Sequence, residues 1–232
     1  MILAFETSAK AASVALLEGD TLLGESYQNT GLTHSQTLMT MAEDLLKNCG
    51  KTVSDVTAVA VAAGPGSFTG VRIGVAAAKG FAWAKELPCY GVSTLEAMAR
   101  DLDVHQGYIV PTMDARRDQT YTAIFRAEAG KLTRIEEDSA ISYEELGEKL
   151  KNLQESVFLV GDGAVLCYNR LEKAVSGLVL PAEHRRHQRA TGVALCAKEM
   201  VDKGLTGDGA GLTPNYLRLS QAERERLARE NT

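Results

Sequence analysis

The segment 63–74, with the sequence AGPGSFTGVRIG, carries the residues of this chain that are best suited to chemistry. It follows an apolar run at 56–62, which predicts a buried strand, and leads into an alanine-rich stretch at 71–85, which predicts a helix. A glycine-rich turn between a strand and a helix directs free backbone N–H groups and the positive end of the helix dipole towards one point. This arrangement favours the binding of an anion such as a phosphate. An equally supported alternative is a capped strand-to-helix turn that holds no ligand.

The glycines and hydroxyls of this turn are the individual candidates. Glycine lets a backbone approach closely and adopt positive φ, and it occurs at Gly64, Gly66 and Gly70. The hydroxyls that could cap the helix or reach a phosphate belong to Ser67 and Thr69. The spacing excludes a Walker A loop, because no lysine follows Gly70. It also excludes a dinucleotide fingerprint, because three residues separate Gly66 from Gly70.

The composition is typical of a soluble globular chain, with 232 residues of which 45% are apolar and 24% charged. This length allows one large domain or two small ones that each bury a core. The formal net charge of −5 argues against a general nucleic-acid coat. Four scattered cysteines without a C-x-x-C motif indicate a reduced, cytoplasmic protein. We expect no signal peptide, because a basic N-terminal region is lacking, and no membrane span, because no apolar run approaches about 18 residues.

The hydrophobic pattern predicts two α/β units of similar order. The order βββαβαβα is followed by βββαβα, which suggests the duplication of one mixed unit. Strands are predicted at 2–5, 12–17, 21–27, 56–62, 88–92, 108–113, 120–127, 131–139 and 157–160. Helices are predicted at 34–48, 71–85, 94–102, 143–150, 164–174, 190–203 and 223–230. Capping boxes are predicted for Thr33 with Gln36, Ser93 with Glu96, Ser142 with Glu145 and Ser220 with Glu223.

These units predict an α/β fold with two packed lobes, mixed sheets and a cleft between the lobes. The first lobe is predicted at 1–104 and a smaller second lobe at 105–189. The remainder, 190–232, is predicted to be a C-terminal helix and tail that pack back towards the first lobe.

Four segments carry a resemblance to known proteins. The N-terminal segment ILAFETS at 2–8 resembles the first phosphate-loop strand of the actin, sugar-kinase and heat-shock-protein superfamily, which has a ribonuclease H-like fold. The run GPGSFTGVRIG at 64–74 resembles the signature of the TsaB family, formerly called YeaZ. The segment MDAR at 113–116, followed by Tyr121, and PNYLR at 214–218 are similar to that family as well. The resemblance covers essentially the whole chain and implies a two-lobed actin-like fold.

The resemblance implies a role in the bacterial complex that places a threonylcarbamoyl group on N6 of the adenosine that follows the tRNA anticodon. In that complex the catalytic subunit is TsaD, a paralogue, and TsaE is a separate ATPase. A further enzyme makes the threonylcarbamoyl-adenylate from threonine, bicarbonate and ATP. The implied role is a non-catalytic scaffold that binds and activates TsaD. The implied partners are TsaD, TsaE, a second copy of the chain when it is alone, and tRNA indirectly through the complex.

The residues argue against a catalytic apparatus. The catalytic paralogue holds its metal through two histidines four residues apart, whereas here His34 is followed at that spacing by Leu38. We therefore expect no metal site. A vestigial site for ATP or ADP stays open, without efficient hydrolysis, because the second lobe offers only Asp114 and the turn 161–163. The candidates for such a site are Glu6, Thr7, Ser8, Gly64, Gly66, Ser67, Thr69, Gly70 and Asp114.

Two helices are the candidates for the partner surface, because by resemblance they pair with their counterparts in TsaD or in a second copy. Each is predicted to direct one face inward and a narrower face towards the partner; the alternative is that both apolar stripes are internal core. The predicted interface residues are Leu38, Met41, Leu45, Val71, Arg72, Gly74, Val75 and Ala78. A cation is disfavoured in the first turn of a helix, so Arg72 suggests a carboxylate or phosphate partner.

Two other functions compete with the scaffold hypothesis. The phosphate-loop strand and the glycine turn also fit a free-standing actin-like ATPase or small-molecule kinase. A metallopeptidase is the weakest hypothesis, because the sequence contains no H-E-x-x-H motif.

Overall fold

The computed structural model describes residues 1–102 and 106–218. Its first sheet has five strands in the order β3-β2-β1-β4-β5. The strands are β1 (Ile2–Glu6), β2 (Ala12–Glu18), β3 (Thr21–Gln28), β4 (Ala58–Ala62) and β5 (Cys89–Val92). The first three strands are antiparallel, whereas β4 pairs parallel with β1 and with β5. Every residue of β4 is buried, as expected for an apolar strand that is covered on both faces.

The second sheet repeats this topology in the order β10-β9-β6-β7-β8. Its strands are β6 (Gln106–Asp114), β7 (Gln119–Glu128), β8 (Lys131–Ser142), β9 (Val157–Val160) and β10 (Leu178–Val179). As in the first sheet, the first strand pairs antiparallel with the second and parallel with the fourth. The shared topology supports the predicted duplication of one mixed unit. The sequence did not indicate β10, because a two-residue, partly exposed strand has no detectable periodicity.

Six helices cover the two sheets in the described part of the chain. They are α1 (His34–Asn48), α2 (Phe68–Trp83), α3 (Thr94–Asp101), α4 (Tyr143–Leu150), α5 (Ala164–Leu171) and α6 (Ala190–Asp202). The first sheet has α1 and α2 on one face and α6 on the other. The second sheet has α4 and α5 on one face and α3 on the other. Because α3 and α6 pack on each other, they join the two lobes. None of the described helices is long and apolar enough to span a bilayer.

The helix boundaries follow from their caps. Half of two predicted capping boxes is confirmed, because Ser93 Oγ accepts from Glu96 N and Ser142 Oγ accepts from Glu145 N, both at 3.1 Å. The reciprocal bonds from the Glu96 and Glu145 side chains to the N-cap backbone are not formed. The N-cap of α1 is Thr33, as predicted, but its side chain makes no capping hydrogen bond. The predicted helix at 223–230 and its Ser220 cap lie outside the described residues.

The start of α2 differs from the prediction. The helix begins at Phe68, three residues before the predicted start at Val71, and ends at Trp83. Ser67 is its N-cap, and the Ser67 hydroxyl accepts a hydrogen bond from Gly70 N at 3.3 Å. The helix therefore includes Phe68, Thr69 and Gly70, the last three residues of the predicted glycine turn.

A polar network ties the second lobe to α3. Arg134 of β8 donates to the carboxylate of Glu96 at 2.8 Å and to Asp138 at 2.6 Å. The hydroxyl of Ser93 donates to Asp138 at 2.5 Å. These side chains are partly buried, so the charged pairs are less screened than surface pairs. The network holds the first turn of α3 against the edge strand of the second sheet.

Seven of the eight predicted interface residues face inward. Apart from Arg72, they are buried within the chain, in or beside the core that α1 and α2 form on the first sheet; they are Leu38, Met41, Leu45, Val71, Gly74, Val75 and Ala78. The prediction that these side chains lie on a surface is corrected. Their burial follows from the packing of both helices on β1 and β4, so any surface on these helices consists of other residues.

The close contact of α2 with the turn after β1 generates a stability prediction. A Cβ added at Gly70 would overlap the backbone oxygen of Thr7, which cannot move without displacing β1. We expect Gly70→Ala to lower the free energy of unfolding by about 2–3 kcal/mol, measured by denaturant unfolding. Gly80→Ala is the matched control on the same helix, because nothing lies within 4 Å of its added Cβ. The control should stabilise the chain by about 0.5–1 kcal/mol, and equal effects of both changes would contradict this packing.

Candidate functional site

A cleft of about 550 Å³ lies between the two lobes. The first lobe contributes residues 8–10 and 65–69, and the second lobe contributes 113–116, Tyr121 and Asp162. A third wall comes from residues 215–218 near the C-terminal end of the described chain. Among the predicted site residues, the cleft brings together Ser8, Gly66, Ser67, Thr69 and Asp114. The other four predicted site residues lie behind this lining and are buried within the first lobe; they are Glu6, Thr7, Gly64 and Gly70.

The glycine turn is packed against the chain's own backbone. A Cβ at Gly66 would lie 2.6 Å from the backbone oxygen of Ser8. A Cβ at Gly74 would overlap the hydroxyl of Thr7, which donates to the backbone oxygen of Gly70 at 2.8 Å. The missing side chains thus allow α2 to lie directly against the turn after β1. Much of the space beside these glycines is filled by the protein itself.

Glu6 is a fully buried carboxylate at the end of β1. Its Oε1 accepts from the backbone N–H of Ser8 at 2.6 Å, whereas its Oε2 has no hydrogen-bond partner among the described residues. Burial raises the pKa of Glu6 from its ordinary value of 4.5 to about 7, although the neighbouring Ser8 hydroxyl and backbone N–H oppose this shift. The negative charge of Asp162 raises it further. Glu6 is therefore partly protonated near neutral pH.

Ser8 adds a second buried polar group without a partner. Its hydroxyl is buried and has no hydrogen-bond partner among the described residues. Its backbone oxygen accepts from the N–H of Ser67 at 2.6 Å, which fixes the glycine turn to β1. Since Ser8 also lines the cleft, its hydroxyl is available to a ligand or a water there.

The second lobe contributes two carboxylates to the cleft. Asp114 is exposed at the end of β6, and its Oδ1 accepts from the N–H of Arg116 at 2.7 Å. Asp162 accepts from the side-chain amide of Gln188 at 2.9 Å. The enclosed position of Asp162 raises its pKa, while the bond from Gln188 opposes the rise. The cleft thus holds hydroxyls, carboxylates and basic side chains, which suit a polar ligand; none of its lining residues is a histidine or cysteine.

Arg72 has a partner within the chain, which corrects the expectation of a carboxylate or phosphate. Its Nε donates to the hydroxyl of Tyr216 at 2.7 Å. Its guanidinium lies 3.9 Å from the ring centroid of Phe68, which stacks on the Tyr216 ring at 4.3 Å. An aromatic pair therefore holds this cation at the start of α2.

The segment that carries Tyr216 also covers the glycine turn. Asn215 N donates to the backbone oxygen of Ala63 at 2.6 Å, and a Cβ at Gly64 would overlap the backbone oxygen of Asn215. Arg218 then reaches the second lobe and donates to the backbone oxygens of Ala115 and Arg116. The sequence singled out the segment PNYLR at 214–218 only by its resemblance and did not determine the contacts of Tyr216 or Arg218. Only the three-dimensional contacts show that the segment joins the lobes.

The histidine considered as a metal ligand has another role. His34 Nε2 hydrogen-bonds with the backbone oxygen of Ala9 at 2.8 Å, which ties the start of α1 to the turn after β1. Within residues 1–102 and 106–218, no three His, Cys, Asp or Glu side chains are grouped so that they could hold a metal ion.

Comparison with known proteins relates this chain to one family. The TsaD family, described as tRNA N6-adenosine threonylcarbamoyltransferase, matches residues 28–226. The chain is similar to the tRNA threonylcarbamoyladenosine biosynthesis protein TsaB of Bacillus subtilis, with 34% identity over 96% of each chain. It is also similar to TsaB of Escherichia coli, with 34% identity over 94% of each chain.

A solved structure is similar as well. YeaZ from Pseudomonas aeruginosa superposes with a TM-score of 0.77 and 27% identity, over 93% of this chain and 99% of that one. Together with the two mixed sheets of shared topology, this likeness identifies the two-lobed actin-like fold that the resemblance implied.

The buried carboxylate of Glu6 predicts a pH-dependent stability. Because its folded pKa of about 7 lies above the ordinary 4.5, its contribution to stability is complete below pH 4.5 and is lost as pH rises towards 7. The free energy of unfolding should fall through this window by up to about 3 kcal/mol. We expect Glu6→Gln to remove this contribution in urea unfolding at about pH 4, 5, 6 and 8, a range that extends from below 4.5 to above 7.

Glu43→Gln is the control for this prediction, because Glu43 is an exposed carboxylate on α1. It should leave the pH dependence of the wild-type chain unchanged. A constant difference in stability between wild type and Glu6→Gln at all four pH values would contradict the raised pKa of Glu6.

Proposed function

Because this chain belongs to the TsaB family, whose members are named for tRNA threonylcarbamoyladenosine biosynthesis, we propose that it acts there as a non-catalytic subunit. In this role the chain binds a TsaD-type catalytic paralogue and holds it in its active form. The kinship with the transferase family supports the pairing, since chains of one fold can pack through corresponding helices in a nearly symmetric way.

The observation that carries the proposal is the outer face of α2. Residues spaced three or four apart along this helix form an exposed stripe, which consists of Thr69, Arg72, Ala76, Gly80 and Trp83. Small side chains in its middle allow another helix to approach closely, and Trp83, which is 86% exposed, ends the stripe with a large apolar surface. On the neighbouring α1, Met39 is also exposed. This outer stripe replaces the buried residues that the sequence suggested.

The cleft supports a role without catalysis. The space beside Gly64, Gly66 and Gly74 is taken up by Asn215, Ser8 and Thr7 rather than left for a ligand. We infer that any binding of ATP or ADP there is vestigial.

We further propose a TsaE-type ATPase as a second partner and a homodimer when the chain is alone. In this proposal the chain contacts tRNA only indirectly, through the complex, and is located in the cytoplasm.

An omission assay tests the function. Threonylcarbamoyl transfer to tRNA is measured with the TsaD-type and TsaE-type proteins and the adenylate-forming enzyme of the same organism, with threonine, bicarbonate and ATP, in the presence and absence of this chain. We expect transfer to require the chain and to persist with Asp114→Ala, because this exposed carboxylate has no catalytic role in the proposal. Transfer without the chain would contradict the proposal. Loss of transfer with a folded Asp114→Ala variant would favour an enzyme whose chemistry uses the cleft.

Two adjacent substitutions on α2 test where the partner binds. Ala76→Arg places a charge on the exposed stripe, so it should leave the stability of the chain within about 0.5 kcal/mol and weaken binding to the TsaD-type paralogue by about 100-fold or more. Val75 is buried, so Val75→Arg should lower the free energy of unfolding by about 3 kcal/mol or more. Calorimetric titration and denaturant unfolding measure the two effects. Unchanged binding by a folded Ala76→Arg variant would move the interface elsewhere.

A further inference from the structure

The described chain ends in a long irregular segment that lies on the first lobe. Residues 204–218, here called the C-terminal strap, follow α6 without helix or strand. Near the start of the strap, the Tyr90 hydroxyl donates to the backbone oxygen of Leu205 at 3.1 Å. Further along, Lys79 of α2 donates to the backbone oxygen of Leu212 at 3.0 Å. The strap thus runs beside α2 before it reaches the glycine turn.

At the glycine turn the strap crosses the mouth of the cleft. Its contact with Ala63 and Gly64 lies on the first lobe, and the contact of Arg218 with Ala115 lies on the second. The residues between these two points form one wall of the cleft. A ligand in the cleft therefore lies beside the strap as well as beside the glycine turn and Ser8.

The strap is fastened by a small cluster of side chains on the surface, here called the latch, which consists of Phe68, Arg72 and Tyr216. The two rings stack with an angle of 20° between their planes, and the guanidinium lies over one ring and donates to the hydroxyl of the other. Tyr216 is 39% exposed and Arg72 is exposed, so the latch can open without disturbing the core.

The latch overlaps the outer stripe of α2. Arg72 is a member of that stripe and Phe68 lies one turn before it. A helix that packs along Thr69, Arg72 and Ala76 contacts the guanidinium that the closed latch holds against Tyr216. The partner and the strap therefore compete for the same side chain.

We propose that the C-terminal strap is a lid over the interlobe cleft, and that its latch opens when a partner packs on the outer stripe of α2. The partner half of this proposal rests on the proposed function, whereas the lid itself is a property of the isolated chain. Closed, the strap joins the lobes and shields the glycine turn. Open, it exposes that turn and frees Arg72 for the partner. The two effects are linked: a change that weakens the closed latch strengthens partner binding, and a bound partner in turn favours the open latch.

Hydrogen exchange of the intact, isolated chain tests the lid. Tyr216→Ala removes the stack and the hydroxyl, so we expect about tenfold faster exchange at residues 64–70 and 210–218, with unchanged exchange in both sheets. Tyr216→Phe is the matched control, because it keeps the ring on Phe68 and loses only the bond to Arg72; it should show a smaller increase. Unchanged exchange at both segments in Tyr216→Ala would overturn the lid.

Binding to the TsaD-type paralogue tests the competition. We expect Tyr216→Ala to bind about three- to tenfold more tightly than wild type, with Tyr216→Phe in between. The reason is that a smaller fraction of the variant molecules is closed and must open before the partner binds. Equal or weaker binding by Tyr216→Ala, with normal binding by wild type, would overturn the competition and leave the proposed function intact. Absence of binding by wild type would overturn both the competition and the proposed function, and the exchange experiment would still decide the lid.

Discussion

The structure depends on the close approach of the α2 N-terminus to the turn that follows β1. Backbone meets backbone there, because Gly66 and Gly70 have no side chains to separate the helix from Ser8 and Thr7. Two hydrogen bonds fasten the contact, from Ser67 N to Ser8 O and from the Thr7 hydroxyl to Gly70 O. The contact sets the height and angle at which α2 lies on the first sheet. Through α2 it decides which face of that helix joins the core and which face meets solvent.

The same contact explains why the predicted interface residues of α2 other than Arg72 are buried. The α2 sequence is apolar and small around most of its circumference, so periodicity cannot identify its inward side. Val71, Val75 and Ala78 form the inward stripe because α2 rests on β1 and β4. The complementary stripe, from Thr69 to Trp83, is therefore exposed. On α1 the predicted interface residues Leu38, Met41 and Leu45 are buried as well, on the apolar face that packs on the first sheet.

Much of the fold was predictable because it is encoded locally. Alternating strands such as β2 and β3 and the caps at Ser93 and Ser142 depend on neighbouring residues, and the structure contains them. The features that were missed depend on contacts between distant segments. The strap contains no periodic pattern, and its contacts join residues that are more than 100 positions apart, such as Arg72 with Tyr216 and Arg218 with Ala115. The candidate site was therefore predicted in its glycine turn and second-lobe carboxylate, but not in its third wall.

The glycine turn has the sequence pattern of a phosphate-binding loop, but its glycines allow the close packing of neighbouring segments. Glycine spacing before a helix suggests room for a phosphate, yet here the room beside Gly64 and Gly74 is occupied by Asn215 and Thr7. Two buried oxygens nearby, Glu6 Oε2 and Ser8 Oγ, have no hydrogen-bond partner among the described residues. Such groups cost free energy unless a water, a proton or a ligand satisfies them. A proton meets part of this demand at Glu6, since burial raises its pKa to about 7. The buried carboxylate behind the cleft lining therefore responds to protonation, while the glycines serve the packing of α2 and of the strap.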